Sequence, residues 1–395
     1  MNEKPVIIVA AYNRVHSLQR LLYSLSRTSC PENTKLVISI DYSDDNIAIV
    51  DCANQFEWNA GDKEVIVHPV NLGLKNHILS CGDLTENYGS VIILEDDLYV
   101  SPFFFDYTLQ ALDFYSDDEN ISGVGLFNYM HLDRVSSEPF SPVADANDVY
   151  FIQYACSWGQ AWTHEQWVRF REWYDTSPDL SLIPGIPENV LKWPDRSWKK
   201  YFIGYVVLYN KYFVLPRVSL TANFDDIGTN RTLSTYQLQS VLLVDQKKFQ
   251  FCHLKESLAV YDSHFEIMPD IIKRFNKVFD GYDFAVDIYG YKNPDKIKES
   301  FLLTTKKSRN ILHGYAREMK PHEMNVIFNI PGRDIVLCRK DELIPESGRD
   351  KILTYVKKFN YYYRNVFSFK ELMRFALFRV YRLLGFFDKF HKVPR

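Results

Sequence analysis

Val91-Ile92-Ile93-Leu94-Glu95-Asp96-Asp97-Leu98 sets the reading of the whole chain. Four branched apolar residues in a row are expected of a strand buried on both faces, as in a parallel sheet. That strand then delivers three carboxylates to its own carboxyl end. Charges of one sign this close repel one another unless a cation lies among them. Hard oxygen ligands suit Mg²⁺ or Mn²⁺, ions that keep open positions for phosphate oxygens. The competing reading is an exposed acidic turn that caps a following helix, where carboxylates favour the N-terminal dipole.

Upstream, the same logic repeats. Val6 to Ala10 is another continuous apolar run, broken by Tyr12-Asn13-Arg14 and followed by Leu18, Leu21, Leu22 and Leu25 at helical spacing. A second strand, 35–40, ends in Asp41, and a third, 64–68, ends in Pro69-Val70-Asn71-Leu72-Gly73. A helical segment over 75–83 leads into the acidic strand. Strands alternating with helices at this pace predict βαβ units and an α/β fold with a doubly wound, mostly parallel sheet flanked by helices. Ligands of such sheets sit beyond the carboxyl ends of the strands. Ala11, Asn13, Arg14, Asp41, Asn71 and Glu95 to Asp97 all fall on that one rim.

Downstream, 150–270 is less regular and rich in Trp and Tyr, and Trp158, Trp162 and Trp198 suit either stacking on the rings of a substrate or a plain aromatic core. Residues 271–355 read as a smaller mixed region, with strand-like runs at 325–329 and 334–338. From Tyr361 onward, Phe and Leu interleave with Arg and Lys, opposed only by Glu371 and Asp388. A basic amphipathic helix of this kind suits an anionic membrane surface, unless it docks on the body of the protein.

Composition narrows the classes. A net charge of -4 gives no reason to expect nucleic acid as a partner. Six cysteines without paired spacing argue against a zinc site or a disulfide framework and for free thiols. The N-terminus runs directly into a strand and no window is apolar enough to span a bilayer, so a cytoplasmic protein, peripheral on the inner membrane face, is expected. His77, His164, His253 and His264 show no metal-ligand spacing, which favours a structural or surface role for each.

At this point the chain resembles the glycosyltransferases of the GT-A fold. Pro5 to Arg14 is similar to their first strand and nucleotide loop, and Asn71-Leu72-Gly73-Leu74-Lys75-Asn76 to the Asn-x-Gly segment of the family 2 group. Leu94 to Leu98, followed by Val100-Ser101-Pro102-Phe103-Phe104, resembles the variant DxD motif of the N-acetylglucosaminyltransferase I family. Trp158-Gly159 and Trp162 are similar to that family and to bacterial polysaccharide glycosyltransferases. The likeness covers roughly residues 5–235.

The resemblance implies a GT-A domain over 1–270, followed by an accessory region at 271–355 and a terminal basic helix at 356–395. It implies a hexosyl- or N-acetylhexosaminyltransferase that takes a UDP-sugar with Mn²⁺ or Mg²⁺ and serves a glycan or lipid-linked acceptor. Asp97 then coordinates the metal, Asp96 contacts the sugar-nucleotide near the ribose, and Glu95 supports the cluster or the donor sugar. Asp41 matches the acid that holds uracil, though it reads equally well as an Asp stabilising its own turn. Arg14, with Ala11 and Asn13, approaches the nucleotide. Asn71 and Lys75 lie where phosphate or donor contacts are usual.

The departure from the pattern is at the catalytic base. An inverting transferase needs a carboxylate to deprotonate the acceptor hydroxyl. The expected acidic pair is replaced here by Lys199 and Lys200, which read as a solvated helix face. Asp195 is the first candidate base, and Asp225 with Asp226 the second. A catalytically degenerate domain that binds glycan or lipid-linked sugar remains an alternative. So does a nucleotidyltransferase, although Ala11 to His16 lacks the glycines of its loop. A Rossmann dehydrogenase is disfavoured, because no G-x-G-x-x-G follows the first strand.

Overall fold

The computed structural model describes residues 4–133, 138–224, 226, 240–363 and 368–383. Strands β1 (Val6–Ala11), β2 (Leu36–Ile40), β3 (Lys63–Val67) and β4 (Ser90–Glu95) pair in parallel in the order β3-β2-β1-β4. Every residue of β1 and β2 is buried, as is all of β4 except Glu95. The unbroken apolar runs therefore mean what they predicted: a sheet covered on both faces.

A two-residue turn separates β4 from β5 (Leu98–Val100), which leaves the main sheet. The sheet continues through β6 (Ile121–Gly125), β7 (Val149–Ile152), β8 (Gln160–Thr163) and β9 (Tyr212–Pro216). β10 (Thr221–Asn223) pairs antiparallel with β5, and β11 (Val260–Tyr261) closes the far edge. The full order is β11-β7-β9-β6-β8-β4-β1-β2-β3, mostly parallel, with β8 antiparallel to both neighbours. The expected α/β class, a large mostly parallel sheet flanked by helices, is the one observed.

Helix Val15–Leu25 buries Leu18, Leu21, Leu22 and Leu25 at the spacing read from the sequence. On the other half of the sheet the core is aromatic. Trp162 packs against Trp167, Trp198, Phe202 and Phe213 with ring centroids 4.9–6.3 Å apart, edge-on or offset geometries that add to area burial. Trp162 is 0% exposed and Trp198 2%. These two tryptophans are core residues and do not line a surface for an acceptor, because helix Trp198–Leu208 lays its apolar side directly on β8 and β9.

Residues 284–339 form a second sheet, β12 (Phe284–Asp287), β13 (Phe301–Thr304), β14 (His313–Tyr315) and β15 (Ile335–Arg339), in the order β12-β13-β15-β14. The strand expected at 334–338 is β15. The one expected at 325–329 is instead helix Met324–Ile327, followed by Asn329 with φ of 53°. A short apolar run does not distinguish strand from buried helix, and here Asn325 decides it: its side chain accepts from the backbone of Glu318 and Met319 and donates to His322. The same hydrophobic core runs from β1 through Val286, Leu337 and Tyr362.

The C-terminal part contains two helices, Gly348–Tyr363 and Phe369–Leu383. The first docks on the body through Lys358 and Tyr362, both buried. No helix among the described residues is long and apolar enough to cross a membrane. All six cysteines are free.

Gly82, in helix Gly73–Asp83, is where the aromatic layer leaves least room. A Cβ there would lie 2.1 Å from the Trp167 indole. Alanine gains about 1 kcal/mol of helix propensity, but the clash displaces a rigid ring whose Nε1 donates to Asp83 at 2.8 Å. Gly82→Ala is therefore expected to destabilise the protein by about 1–3 kcal/mol net in urea unfolding. A variant as stable as the parent would mean that Trp167 is not fixed there.

Candidate active site

The parallel register brings the rim residues together. Glu95 lies opposite Ala10, Asp96 N–H donates to Ala10 O at 3.1 Å, and Asp41 N–H donates to Ala11 O at 2.9 Å. Arg14, the residue just before helix Val15–Leu25, reaches across the edge of β1 to the acidic turn. Its guanidinium pairs with Asp96 and, at 3.1 Å, with Asp97. Asp97 also accepts from Asn223 Nδ2 at 3.1 Å, and its carbonyl accepts from Phe224 N–H at 3.1 Å. The β5–β10 pairing therefore closes one side of the site.

One cation among three carboxylates leaves excess negative charge. Burial, reinforced by Asp97, pushes the Glu95 carboxyl up to about 8. Burial also lifts Asp96, to about 6, against the pull of Arg14. This turn therefore holds protons near neutral pH that a bound cation would displace. It is not an exposed helix cap: Asp96 is 3% exposed, and the segment after it is a strand.

Asp226 joins the same corner. Its carboxylate accepts from Ser17 Oγ at 2.6 Å and pairs with Arg20, whose guanidinium lies 3.9 Å from the Phe224 ring centroid. Against the cost of burial, Arg20 and Ser17 lower its pKa. Its oxygens are thus committed to the first helix. Asp225 lies outside the described residues.

Asp41 is buried, and its carboxylate accepts from the N–H groups of Tyr42, Leu72 and Gly73 at 2.8–2.9 Å. Gly73, with φ of +70°, supplies the turn that aims this loop back at Asp41. Asn71 donates to Tyr42 O at 2.7 Å, so both residues bind their own loops together. Lys75 sits 5.0 Å from the Tyr201 ring and 5.8 Å from Tyr174. Asn13 is exposed.

Asp195 is apart from these, on the loop ahead of helix Trp198–Leu208. Its side chain is 86% exposed and pairs with Lys200 at 3.1 Å. Lys199 and Lys200, expected on a solvated face, are each only 6% exposed. Lys200 is held by the carbonyl of Trp193 at 2.9 Å. Lys199 lies within 4.7–5.6 Å of the rings of Tyr129, Tyr154, Trp158 and Trp193 and pairs with Asp133 at 2.7 Å. Burial dominates the Glu95 carboxyl, and the Lys199 ammonium opposes it only as the smallest of the influences on that group. Neither Asp133 nor Asn223 was singled out from the sequence. Asn223 stands beside the noted acids 225–226, whereas nothing in the local sequence marks Asp133.

His264 is buried enough to fall to about 4, and it lines a cavity of about 180 Å³ with Asp133 and Tyr154. His253 stacks on Phe114 at 4.8 Å. Among the described residues, no group of three or more His, Cys, Asp or Glu is arranged to hold a metal by itself.

No protein-family model matches the sequence, and no curated protein matches it. Similar solved structures include glycosyltransferases and a cytidylyltransferase. TarS of S. aureus is 15% identical over 54% of this chain and 35% of its own, with a TM-score of 0.34. GalNAc-T7, solved with UDP, GalNAc and Mn²⁺, is 12% identical over 56% of this chain and 44% of its own, with a TM-score of 0.39. The cytidylyltransferase, from Leptospira borgpetersenii, is 13% identical over 52% of this chain and 71% of its own, with a TM-score of 0.29. The chain thus spans 35% of TarS and 44% of GalNAc-T7. Likeness of this degree carries no role from those proteins to this chain.

Arg14→Met removes the cation that neutralises the turn. Breaking a largely buried ion pair costs about 3–5 kcal/mol, and the part-exposed Arg14 points to the lower end, about 3 kcal/mol at pH 8. Because Glu95 and Asp96 are raised to about 8 and 6, the deficit is widest above pH 8 and narrows as the pH falls below 6, where both are protonated, without vanishing, since Arg14 also bonds Asp97. Urea unfolding of both proteins across this range checks it; a deficit independent of pH would refute the electrostatic origin.

Proposed function

We propose that the chain is a GT-A-type, metal-dependent glycosyltransferase that moves a sugar from a UDP-linked donor to a glycan or lipid-linked acceptor, with inversion. The observation that supports this reading is the meeting of Glu95, Asp96 and Asp97 with Arg14 and Asn223 at the carboxyl edge of a parallel sheet, where such sheets bind nucleotides. Mg²⁺ and Mn²⁺ are commonly held by one or two carboxylates, which a turn of three can supply, and completed by phosphate oxygens. Asp97, whose side chain is 13% exposed and already accepts from Arg14 and Asn223, is the carboxylate we assign to that role. When bound, the ion neutralises negative charge on the departing diphosphate.

The other groups act directly. Arg14 holds Asp96 and Asp97 in place and keeps the turn from repelling an incoming diphosphate. Asp41 fixes the 71–73 loop, which makes it a positioning residue for the base and ribose side of the donor. Lys199 exerts a minor charge influence on Glu95 and is the residue that sets this site apart from the acidic pair of the resembling family. Of the candidate bases among the described residues, Asp195 is exposed and paired with Lys200, while Asp226 is bound to Ser17 and Arg20. The helix Phe369–Leu383 exposes Met373, Leu377, Phe378 and Val380, which supports peripheral binding to a membrane face where a lipid-linked acceptor would be.

A second reading is favoured by the same ion pairs: Arg14 alone meets the diphosphate and no ion is required. Isothermal titration of UDP with Mn²⁺ or with EDTA separates the two. The expected result is Mn²⁺-dependent UDP binding that weakens by more than about tenfold in Asp97→Ala, with GDP binding more weakly. EDTA-insensitive binding lost in Arg14→Met would select the second reading. No nucleotide binding under either condition would leave a degenerate glycan-binding domain.

Metal binding is also expected to release protons, since it competes with those on Glu95 and Asp96. Apparent Mn²⁺ affinity in the presence of UDP should rise between pH 6 and 8 and level off above. Titration enthalpies in buffers of different ionisation heat count the protons, and a count of zero at pH 7 would contradict the assignment.

A further inference from the structure

A second cavity, of about 790 Å³, lies between the small sheet and helix Gly348–Tyr363, and none of its lining residues belongs to the acidic turn or to β1. Its apolar lining includes Ile311, Val336, Ile344 and Leu353. Five basic side chains and two acidic ones line it, in a chain whose net charge is -4. The excess of positive charge is therefore local.

Most of these cations are already committed. Lys306 is paired with buried Asp287, and Lys307 with Asp350 near the start of the helix. Lys357 faces Asp334 at 3.9 Å. Two arginines remain. Arg333 is exposed and makes no ion pair among the described residues. Arg317 lies 5.1 Å from the Tyr361 ring and 5.9 Å from Tyr362, with Nε and Nη2 buried and without a hydrogen-bond partner among the described residues.

The Arg317 guanidinium is braced by aromatic rings, and its unused Nε and Nη2 donors are costly where they lie buried, so they meet an anion by a turn of the side chain toward the groove. Its planar fork matches the paired oxygens of a phosphate. Around it, the Ser308 and Thr354 hydroxyls already donate to Asn310 O, Glu342 O and Glu346 and keep lone pairs to accept from sugar hydroxyls, and the Asn360 amide also lines the groove. The volume is far larger than a lone phosphate and lies in the range of pockets that enclose organic ligands.

We propose that this groove is a binding site for a phosphate-bearing saccharide, anchored by Arg317 and Arg333. The acidic rim residues Glu318 and Asp334 limit it to ligands whose charge is concentrated at one or a few groups. The site is separate from the acidic turn and does not depend on transferase activity.

The test is titration of glucose 1-phosphate, glucose, inorganic phosphate and phosphatidylglycerol-containing vesicles into the full chain. Glucose 1-phosphate is expected to bind more tightly than glucose or inorganic phosphate. Arg317→Gln should weaken it by about tenfold or more, the loss of one charge-assisted contact. Arg333→Ala, at an exposed position that leaves packing intact, should weaken it less. Asp97→Ala should leave it unchanged, which keeps this result distinct from nucleotide binding at the acidic turn. Inorganic phosphate binding as tightly as the sugar phosphate, binding of vesicles alone, or affinity unchanged in both arginine variants would each overturn the proposal.

Discussion

The arrangement at the sheet edge rests on one guanidinium. Arg14 reaches from the first βα connection to Asp96 and Asp97, and without it three carboxylates would end a buried strand with no cation beside them. The pairing also fixes geometry. It ties the start of the first helix to the β4–β5 turn, and Asp97 passes the constraint on to Asn223 and Phe224. Arg20 and Ser17, one turn further along the same helix, draw in Asp226. A single helix end therefore organises residues more than 200 positions apart, through charge rather than apolar packing.

A second charge centre has the opposite composition. Lys199 is buried, with Asp133 as its counter-ion and four aromatic rings as its walls. Burying an ammonium is costly unless it is paired, and ring faces offset part of the loss of water. The same helix that carries Lys199 packs Trp198 and Phe202 into the aromatic core. The rigidity of that core is what holds the ammonium against Asp133 and the ring faces. Packing and electrostatics are thus coupled on this side of the site, whereas on the Arg14 side the ion pairs stand largely alone.

Much of the fold was legible because parallel strands announce themselves. Continuous Val and Ile runs, each followed by a polar turn, located β1 through β4 to within a residue or two, and the rim residues with them. The smaller region was harder. The 325–329 run has the length and composition of a strand, and only the hydrogen bonds of Asn325 to residues 318, 319 and 322 make it helical. The lysines at 199 and 200 misled for a related reason. On a helix of unknown orientation, charge reads as solvent-facing, because the partner that makes burial tolerable is distant in sequence.

The sequence by itself determined the α/β class, the acidic turn and the set of polar strand ends, since each depends on local periodicity and on where a strand stops. It also marked Arg14 and Glu95 to Asp97 as belonging to one rim, because parallel strands must end on the same side. Only the tertiary structure decided what each charge faces: Asp41 the 71–73 loop, Asp226 the first helix, Lys199 an aromatic box, Arg317 a groove. Those pairings come from chain crossings of tens to hundreds of residues. Burial sets their strength, and burial is a property of the assembled core rather than of any local stretch.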